Sequence, residues 1–306
     1  MSVHIALVFP GQGSQRIGML SDLACLDGAE RLLDAAEALS GLPLRHVAVA
    51  GTPEQLADTR FAQPLLYLAD WAAGVKALAS GITPVALAGH SLGELAALAV
   101  AGVYSVEAGL ELVVERSRLM ADVAAETPGG MVAVLGLDAT AIAAALKGID
   151  GVWVANDNSA GQTVVSGTPD GLVAATGALN GAGARRIVPL AVAGPFHSPL
   201  MQPAATRFAD LLRAASFRDA VLPVFQNTSA SPATAAEVIR QRLAGQIVSP
   251  VRWTETMEAL KAADVTVLLE CGPGAVLTGL AKRVEGLSAY AIEQTDIEDF
   301  RREVGA

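Results

Sequence analysis

Positive charge is scarce in this sequence. Lysine and arginine together number 21 against 31 aspartates and glutamates, a formal net charge of −10, and lysine occurs only at Lys76, Lys147, Lys261 and Lys282. Nucleic acid and anionic membrane surfaces both need a basic face, so neither is expected as the main partner; an acidic protein partner would need a local basic patch. Cysteine is almost missing. Cys25 and Cys271 have neither metal-ligand spacing nor a disulfide framework, and are expected to be plain thiols in a reducing cytoplasm. No apolar run reaches the roughly 18 residues of a membrane helix. The start, Met1 to Pro10, lacks the basic head and long apolar stretch of a signal peptide and reads as a first strand. Histidine is limited to four positions, which shortens the search for a catalytic base.

What is plentiful is apolar. Hydrophobic residues make up 52% of 306 positions and charged residues 17%, enough for a sizeable core and far from a disordered composition. Short apolar runs ending in glycine-rich turns alternate with Ala/Leu-rich stretches: Ile5 to Phe9 reads as a strand, Ala29 to Ser40 and Gln63 to Ser80 as helices, Val85 to Ala88 as a strand, and Leu92 to Val100 and Ala108 to Val123 as helices. This alternation predicts an α/β fold with a mostly parallel sheet. After the breaker cluster Thr127-Pro128-Gly129-Gly130 the order becomes strand, helix, strand, strand, helix, strand, through Arg186 to Val192, which is a ferredoxin-like unit. The α/β pattern resumes after Gly194-Pro195. The expected architecture is thus a large catalytic subdomain, residues 1–127 and 195–306, resembling an α/β-hydrolase, with a ferredoxin-like subdomain inserted at 128–194.

Gly89-His90-Ser91-Leu92-Gly93 lies between an apolar strand and an Ala-rich helix, the context of a nucleophile elbow. Such a turn needs small residues at its flanks and lifts the serine hydroxyl clear of the sheet. It also sets Ser91 at a helix N-terminus, where free N–H groups favour negative charge, so the amide of Leu92 is a natural oxyanion donor. Of the histidines, His4 and His46 have no motif around them, and the side chain of His90 should point away from that of Ser91. His197, in the Gly/Pro-bounded loop Ala193 to Pro199 where the two subdomains rejoin, is the candidate base. No acid is placed by a motif, and hydrolases of this kind carry their histidine late in the chain. A Ser-His dyad with His197 held by a backbone carbonyl is the simpler arrangement.

These residues, taken with others, resemble the malonyl-CoA:acyl carrier protein transacylases and the acyltransferase domains of fatty acid and polyketide synthases. The similarity runs nearly end to end: Gly11-Gln12-Gly13-Ser14-Gln15, the elbow, Glu115-Arg116-Ser117-Arg118-Leu119-Met120, Asn156-Asp157-Asn158-Ser159-Ala160-Gly161-Gln162, Gly194-Pro195-Phe196-His197-Ser198, Gln246 with Pro250-Val251-Arg252-Trp253, and Gly272-Pro273-Gly274 through Leu280. The resemblance implies Ser91 as the nucleophile, His197 as general base and then acid, the Gln246 carbonyl as its anchor, and the amides of Gln12 and Leu92 as the oxyanion hole. It makes Arg116 the residue that grips the free carboxylate of a malonyl group, a role suited to a planar donor fork, and places Asn156 and Phe196 on the substrate side. Phe196 would fill the space a 2-methyl branch needs. It further implies malonyl-CoA as a substrate rather than a bound cofactor, no metal, an acyl carrier protein as partner, and a monomeric enzyme; Arg185, Arg186, Lys282 and Arg283 are candidates for carrier docking. Other readings stay open from the sequence: an acyltransferase serving a polyketide synthase in trans, the malonyltransferase subunit of a malonate decarboxylase, an α/β-hydrolase esterase, or a non-catalytic module that binds carrier proteins.

Overall fold

The computed structural model describes residues 3–304; positions 1, 2, 305 and 306, which close the two ends of the expected large subdomain, lie outside the described residues. The strands in chain order are β1 (Ile5–Phe9), β2 (Ala86–Gly89), β3 (Gly130–Leu135), β4 (Val152–Ser159), β5 (Gln162–Gly167), β6 (Arg186–Pro189), β7 (Val224–Gln226), β8 (Ser231–Ala233), β9 (Val251–Arg252), β10 (Val267–Glu270) and β11 (Ser288–Ala291). They form two sheets. The larger has the order β11-β10-β1-β2-β7-β8 and is parallel except for β8, which returns antiparallel to β7. Both of its faces are covered. Ile5, Leu7 and Phe9 of β1 pack into one apolar cluster while Ala6 and Val8 pack into another on the opposite side, as a parallel sheet sandwiched between helices requires.

The smaller sheet runs β6-β3-β5-β4-β9. Its first four strands are antiparallel neighbours in the arrangement of the expected β-α-β-β-α-β unit. Val132, Val134 and Val165 face the helices Ala139–Leu146 and Pro169–Gly181. Met131, Ala133 and Val164 face the other way, across the cleft toward the large sheet. The fifth strand departs from the sequence reading: β9 comes from beyond residue 195, yet pairs parallel with Asn156 and Asp157 of β4.

Two other departures bear on the site. Arg186 to Val192 is not one strand: β6 ends at Pro189, and beyond it the Leu190 amide makes one further bond, to the Met131 carbonyl. The long helix expected from Gln63 begins earlier, at Thr59, where the Asp58 side chain accepts from the amide of Arg60; the added turn brings Thr59 and Gln63 to the cleft.

Candidate active site

Ser91 sits where β2 meets the helix Leu92–Val100. Its φ of 52° and ψ of −105° are a strained combination for a residue with a side chain. The two flanking glycines are a steric necessity: a Cβ on Gly89 would lie 2.0 Å from the Gly93 carbonyl carbon, and one on Gly93 would lie 2.1 Å from the Phe9 oxygen. The strain is held by partners distant in sequence. The Ser91 amide donates to Asn227 Oδ1 (2.7 Å), Asn227 Nδ2 donates to the Gly89 carbonyl (2.6 Å), and Gln246 Nε2 donates to the Ser91 carbonyl (3.0 Å). Gly93 and Glu94 bond back to the carbonyls of His90 and Ser91. Among the described residues no acceptor meets the amide of Leu92 or that of Gln12, a condition any oxyanion donor must satisfy.

His197 Nε2 lies 2.7 Å from Ser91 Oγ, and its Nδ1 lies 3.1 Å from the carbonyls of both Gln246 and Ser249. Carbonyl oxygens only accept, so Nδ1 carries the proton and Nε2 presents its lone pair to the serine. Two carbonyls thus fix the tautomer that a carboxylate fixes in a triad. His197 is 4% exposed. Burial, with Arg116 and then His90 adding positive charge nearby, lowers its pKa to about 3, which keeps the imidazole neutral.

Arg116, on the helix Val106–Glu126, is 0% exposed. Its Nη1 donates to Gln63 Oε1 (2.6 Å) and its Nη2 to Gln246 Oε1 (2.9 Å), with Ser91 Oγ 3.3 Å from the same nitrogen. Among the described residues no carboxylate touches it. The nearest acid in this network is Glu94, reached through the Gln246 amide, whose nitrogen donates to Glu94 Oε2 (3.0 Å). Burial lowers the Arg116 pKa to about 10, with Glu94 acting in the opposite direction, so the group remains a buried cation served by neutral amides. Burial likewise raises the Glu94 pKa, opposed by bonds from the Asn227 amide, Gln246 and Gln226. The network continues outward from Gln63 to Thr59 (2.6 Å) and from Thr59 to the Gln12 side chain (2.9 Å).

A cavity of about 200 Å³ opens over the dyad. Gln12, Phe196 and Asn156 line it with Ser91 and His197; Met120, Met131, Val164, Leu190 and Val192 supply apolar surface. Asn156 and Asn158 reach it because of an irregularity. Val152 and Val154 of β4 face the helices, but the register with β5 shifts between Val154 and Asn156, and this bulge turns the even-numbered side chains that follow into the cavity. Asn158 Oδ1 then meets His90 Nε2 at 2.8 Å. His90, as expected, is turned away from base chemistry; it ties the elbow to the small sheet and packs edge-on against Trp253.

The sequence residues Ser91, His197, Arg116 and Gln246 therefore meet at one point, with Gln12, Asn156 and Phe196 around the same cavity and Leu92 directly after Ser91 at the start of its helix. The sequence alone assigns no role to Asn227, Glu94, Gln63 or Thr59, nor to Asn158 within its motif. The acyl transferase domain model matches residues 6–297. The chain belongs to the acyl transferase family. The malonyl CoA-acyl carrier protein transacylase of Bacillus subtilis is 41% identical over 285 residues, covering 92% of this chain and 90% of that protein. The polyketide biosynthesis malonyl CoA-acyl carrier protein transacylase of the same organism is 37% identical over 285 residues, covering 92% and 97%. A solved malonyl-transacylase, in complex with a type II polyketide synthase acyl carrier protein, superposes with a TM-score of 0.91 at 40% identity and covers 98% of this chain and 99% of that one.

Outside the cavity, the basic residues expected at a docking surface are all exposed, and two of them converge. Arg283 Nη1 donates to the Ala160 carbonyl in the β4–β5 turn (2.8 Å). The Gly136 amide bonds the Gly161 carbonyl of that turn, and Arg185 stands directly against Gly136. Gln162, the next residue along, lines the cavity. Among the described residues no helix is long and apolar enough to cross a membrane, and no cluster of three or more His, Cys, Asp or Glu side chains is arranged to hold a metal ion.

Proposed function

We infer that this chain transfers a malonyl group from CoA to the phosphopantetheine thiol of an acyl carrier protein, by way of an ester on Ser91. The observation that bears most weight is Arg116: a fully buried guanidinium, bound among the described residues only by neutral oxygens, with one nitrogen 3.3 Å from the Ser91 hydroxyl. An acyl group that ends in a carboxylate supplies the charge this site lacks. An acetyl group does not.

In this reading His197 takes the Ser91 proton as the oxygen attacks the thioester carbon, and the Gln12 and Leu92 amides hold the oxyanion. The tetrahedral intermediate collapses with loss of the CoA thiolate, which receives the proton from His197. The carrier thiol then repeats the sequence in reverse, giving ping-pong kinetics. Both steps exchange one acyl bond for another without a change of oxidation state, so CoA enters and leaves as a substrate and no cofactor takes part. Phe196 narrows the room for a branch beside the thioester, a graded preference for malonyl over methylmalonyl. We assign 128–194 to a substrate-side subdomain, with β9 crossing into its sheet, and 1–127 with 195–306 to the catalytic one. The convergence of Arg185 and Arg283 beside the cavity fits the docking of an acidic carrier. The same chemistry serves fatty acid and polyketide synthesis, in keeping with relatives named for each.

Mass spectrometry of the intact chain after incubation with a mixture of acyl-CoAs tests the reading. One malonyl group is expected on wild-type protein and none on Ser91→Ala, with release of that group on adding a carrier protein. Rapid hydrolysis of the ester with no transfer would favour an esterase instead, and carrier loading that survives Ser91→Ala would make the chain a mere binding module.

A further inference from the structure

The cavity is not equally thick on all sides. β3, β4 and β5 are backed by helices of the small subdomain, and the elbow is backed by the large sheet. The segment that leads from β6 back to His197 is backed by nothing comparable. Leu190 and Val192 line the active cavity, whereas Ala191 and Ala193 line a separate groove of about 490 Å³ on the far side, together with Glu54, Asp58 and Asp122. The helix Val106–Glu126 is shared in the same way, with Met120 on the cavity and Ala121 and Ala124 on the groove. The segment is pinned at two points. The Leu190 amide donates to the Met131 carbonyl (3.0 Å), and Gly194 lies so close to the helix that a Cβ there would be 2.5 Å from Ala124 Cβ. Between these pins the partition is one residue thick, and two side chains close it.

We propose that Leu190 and Val192 form the wall that sets the largest acyl group this enzyme accepts. The proposal rests on the malonyl reading above. With a carboxylate held by Arg116 and the thioester carbon at Ser91, a substituent on the carbon between them must fit the remaining cavity, whose space of about 200 Å³ is shared with the end of the pantetheine arm. Shortening Leu190 and Val192 joins that space to the groove. The substrate class admitted is the 2-alkylmalonyl thioesters with branches longer than methyl. Ala191 and Ala193 are already minimal, so the groove side adds no further barrier.

The test compares acylation of Ser91 by malonyl-CoA and butylmalonyl-CoA in the full chain. The double variant Leu190→Ala/Val192→Ala is expected to raise the butylmalonyl-to-malonyl ratio of kcat/KM by about tenfold or more, the discrimination an apolar pocket gives per few methylenes. Adding Ala191→Leu, which refills the groove from its far side, should take most of that gain away, while Ala191→Leu alone leaves malonyl loading unchanged. Val192→Ala alone, the milder change, should move the ratio in the same direction. An unchanged ratio in protein that still loads malonyl overturns the wall. Wild-type protein that loads no malonyl group would overturn the functional reading instead, so the two failures are distinct.

Discussion

The two sides of the cleft are built in opposite ways. On the large-sheet side, Ser91 has its amide, carbonyl and hydroxyl all engaged, and Gln246 joins Ser91, His197 and the buried cation Arg116 through its carbonyl and both ends of its amide. On the small-sheet side the lining is Met131, Ala133, Val164, Leu190 and Val192, with Asn156, Asn158 and Gln162 as its polar members. One side holds atoms to fixed positions by hydrogen bonds that cannot be exchanged singly. The other offers apolar surface whose shape can change by a methylene at a time. Chemistry is expected to be brittle on the first side and selectivity adjustable on the second.

The sharpest break of that contrast is Arg116→Ala. It leaves the amide oxygens of Gln63 and Gln246, and the carboxylate of a bound malonyl group, unpaired, so malonyl loading should fall by about 10²–10⁴-fold, in line with roughly 3–5 kcal/mol for leaving a buried charge without its partner. The gap between acetyl-CoA and malonyl-CoA should shrink at the same time. Loading rates with the two thioesters measure both. Full malonyl transfer with no relative gain for acetyl would remove Arg116 from the carboxylate site.

Acidification is the next largest effect. His197 titrates near pH 6.5 when unfolded and near 3 when folded. Between these values the unfolded chain holds a proton that the folded chain refuses, so stability falls as pH drops through that window, and the cost is absent above it. The penalty is on the order of a few kcal/mol at its acid end. Urea midpoints of wild type and His197→Gln, measured from pH 7 to pH 4, should diverge, with the wild type losing more. The rate of Ser91 acylation should show no inflection at 6.5, because the base is already neutral there; a bell with its acid limb at 6.5 would contradict the buried, carbonyl-held imidazole.

Asn227→Ala should cost less. It removes the bonds to the Ser91 amide and the Gly89 carbonyl but keeps the Asn227 backbone bond to Glu94. Two neutral hydrogen bonds at a strained residue correspond to about a tenfold loss of kcat, with KM for malonyl-CoA little changed. An unchanged kcat, with any effect confined to KM, would mean that the elbow holds its geometry without the clamp.

How much of this was legible in the sequence follows the same division. Gly89, Ser91, Gly93 and the His197 loop announce themselves because tight turns restrict residue type locally. The strand–turn–helix alternation and the β-α-β-β-α-β order are local too, and both were readable. Asn227 meets Ser91 across 136 positions, His90 meets Asn158 across 68, and Gln63 meets Arg116 across 53; no periodicity or spacing marks such residues beforehand. The bulge in β4 breaks the strand's alternation after Val154, which hides from the sequence the face change that delivers Asn156 and Asn158. β9, two residues long, has too little pattern to signal a strand, still less one that joins the other sheet. Thr52 and Gln55, whose reciprocal bonds cap the short helix Pro53–Ala57, carry a signal that local spacing does make readable.

The smallest effect should come from outside the cleft. Arg283 is exposed, and among the described residues its side chain bonds only the Ala160 carbonyl, so replacing it by alanine touches no residue of the cavity. If it belongs to the docking surface, Arg283→Ala should raise KM for the carrier protein a few-fold, as expected for a rim charge. The malonyl-CoA half-reaction should keep its rate. The difference between variant and wild type should also fade as salt rises, since a charge in water is screened over about 8–10 Å at ordinary ionic strength. Arg185→Ala should behave alike, and the double variant should add to either. An equal loss in the CoA half-reaction would place Arg283 on the CoA path rather than on the carrier's, and would show that the β4–β5 turn belongs to the selective side of the cleft.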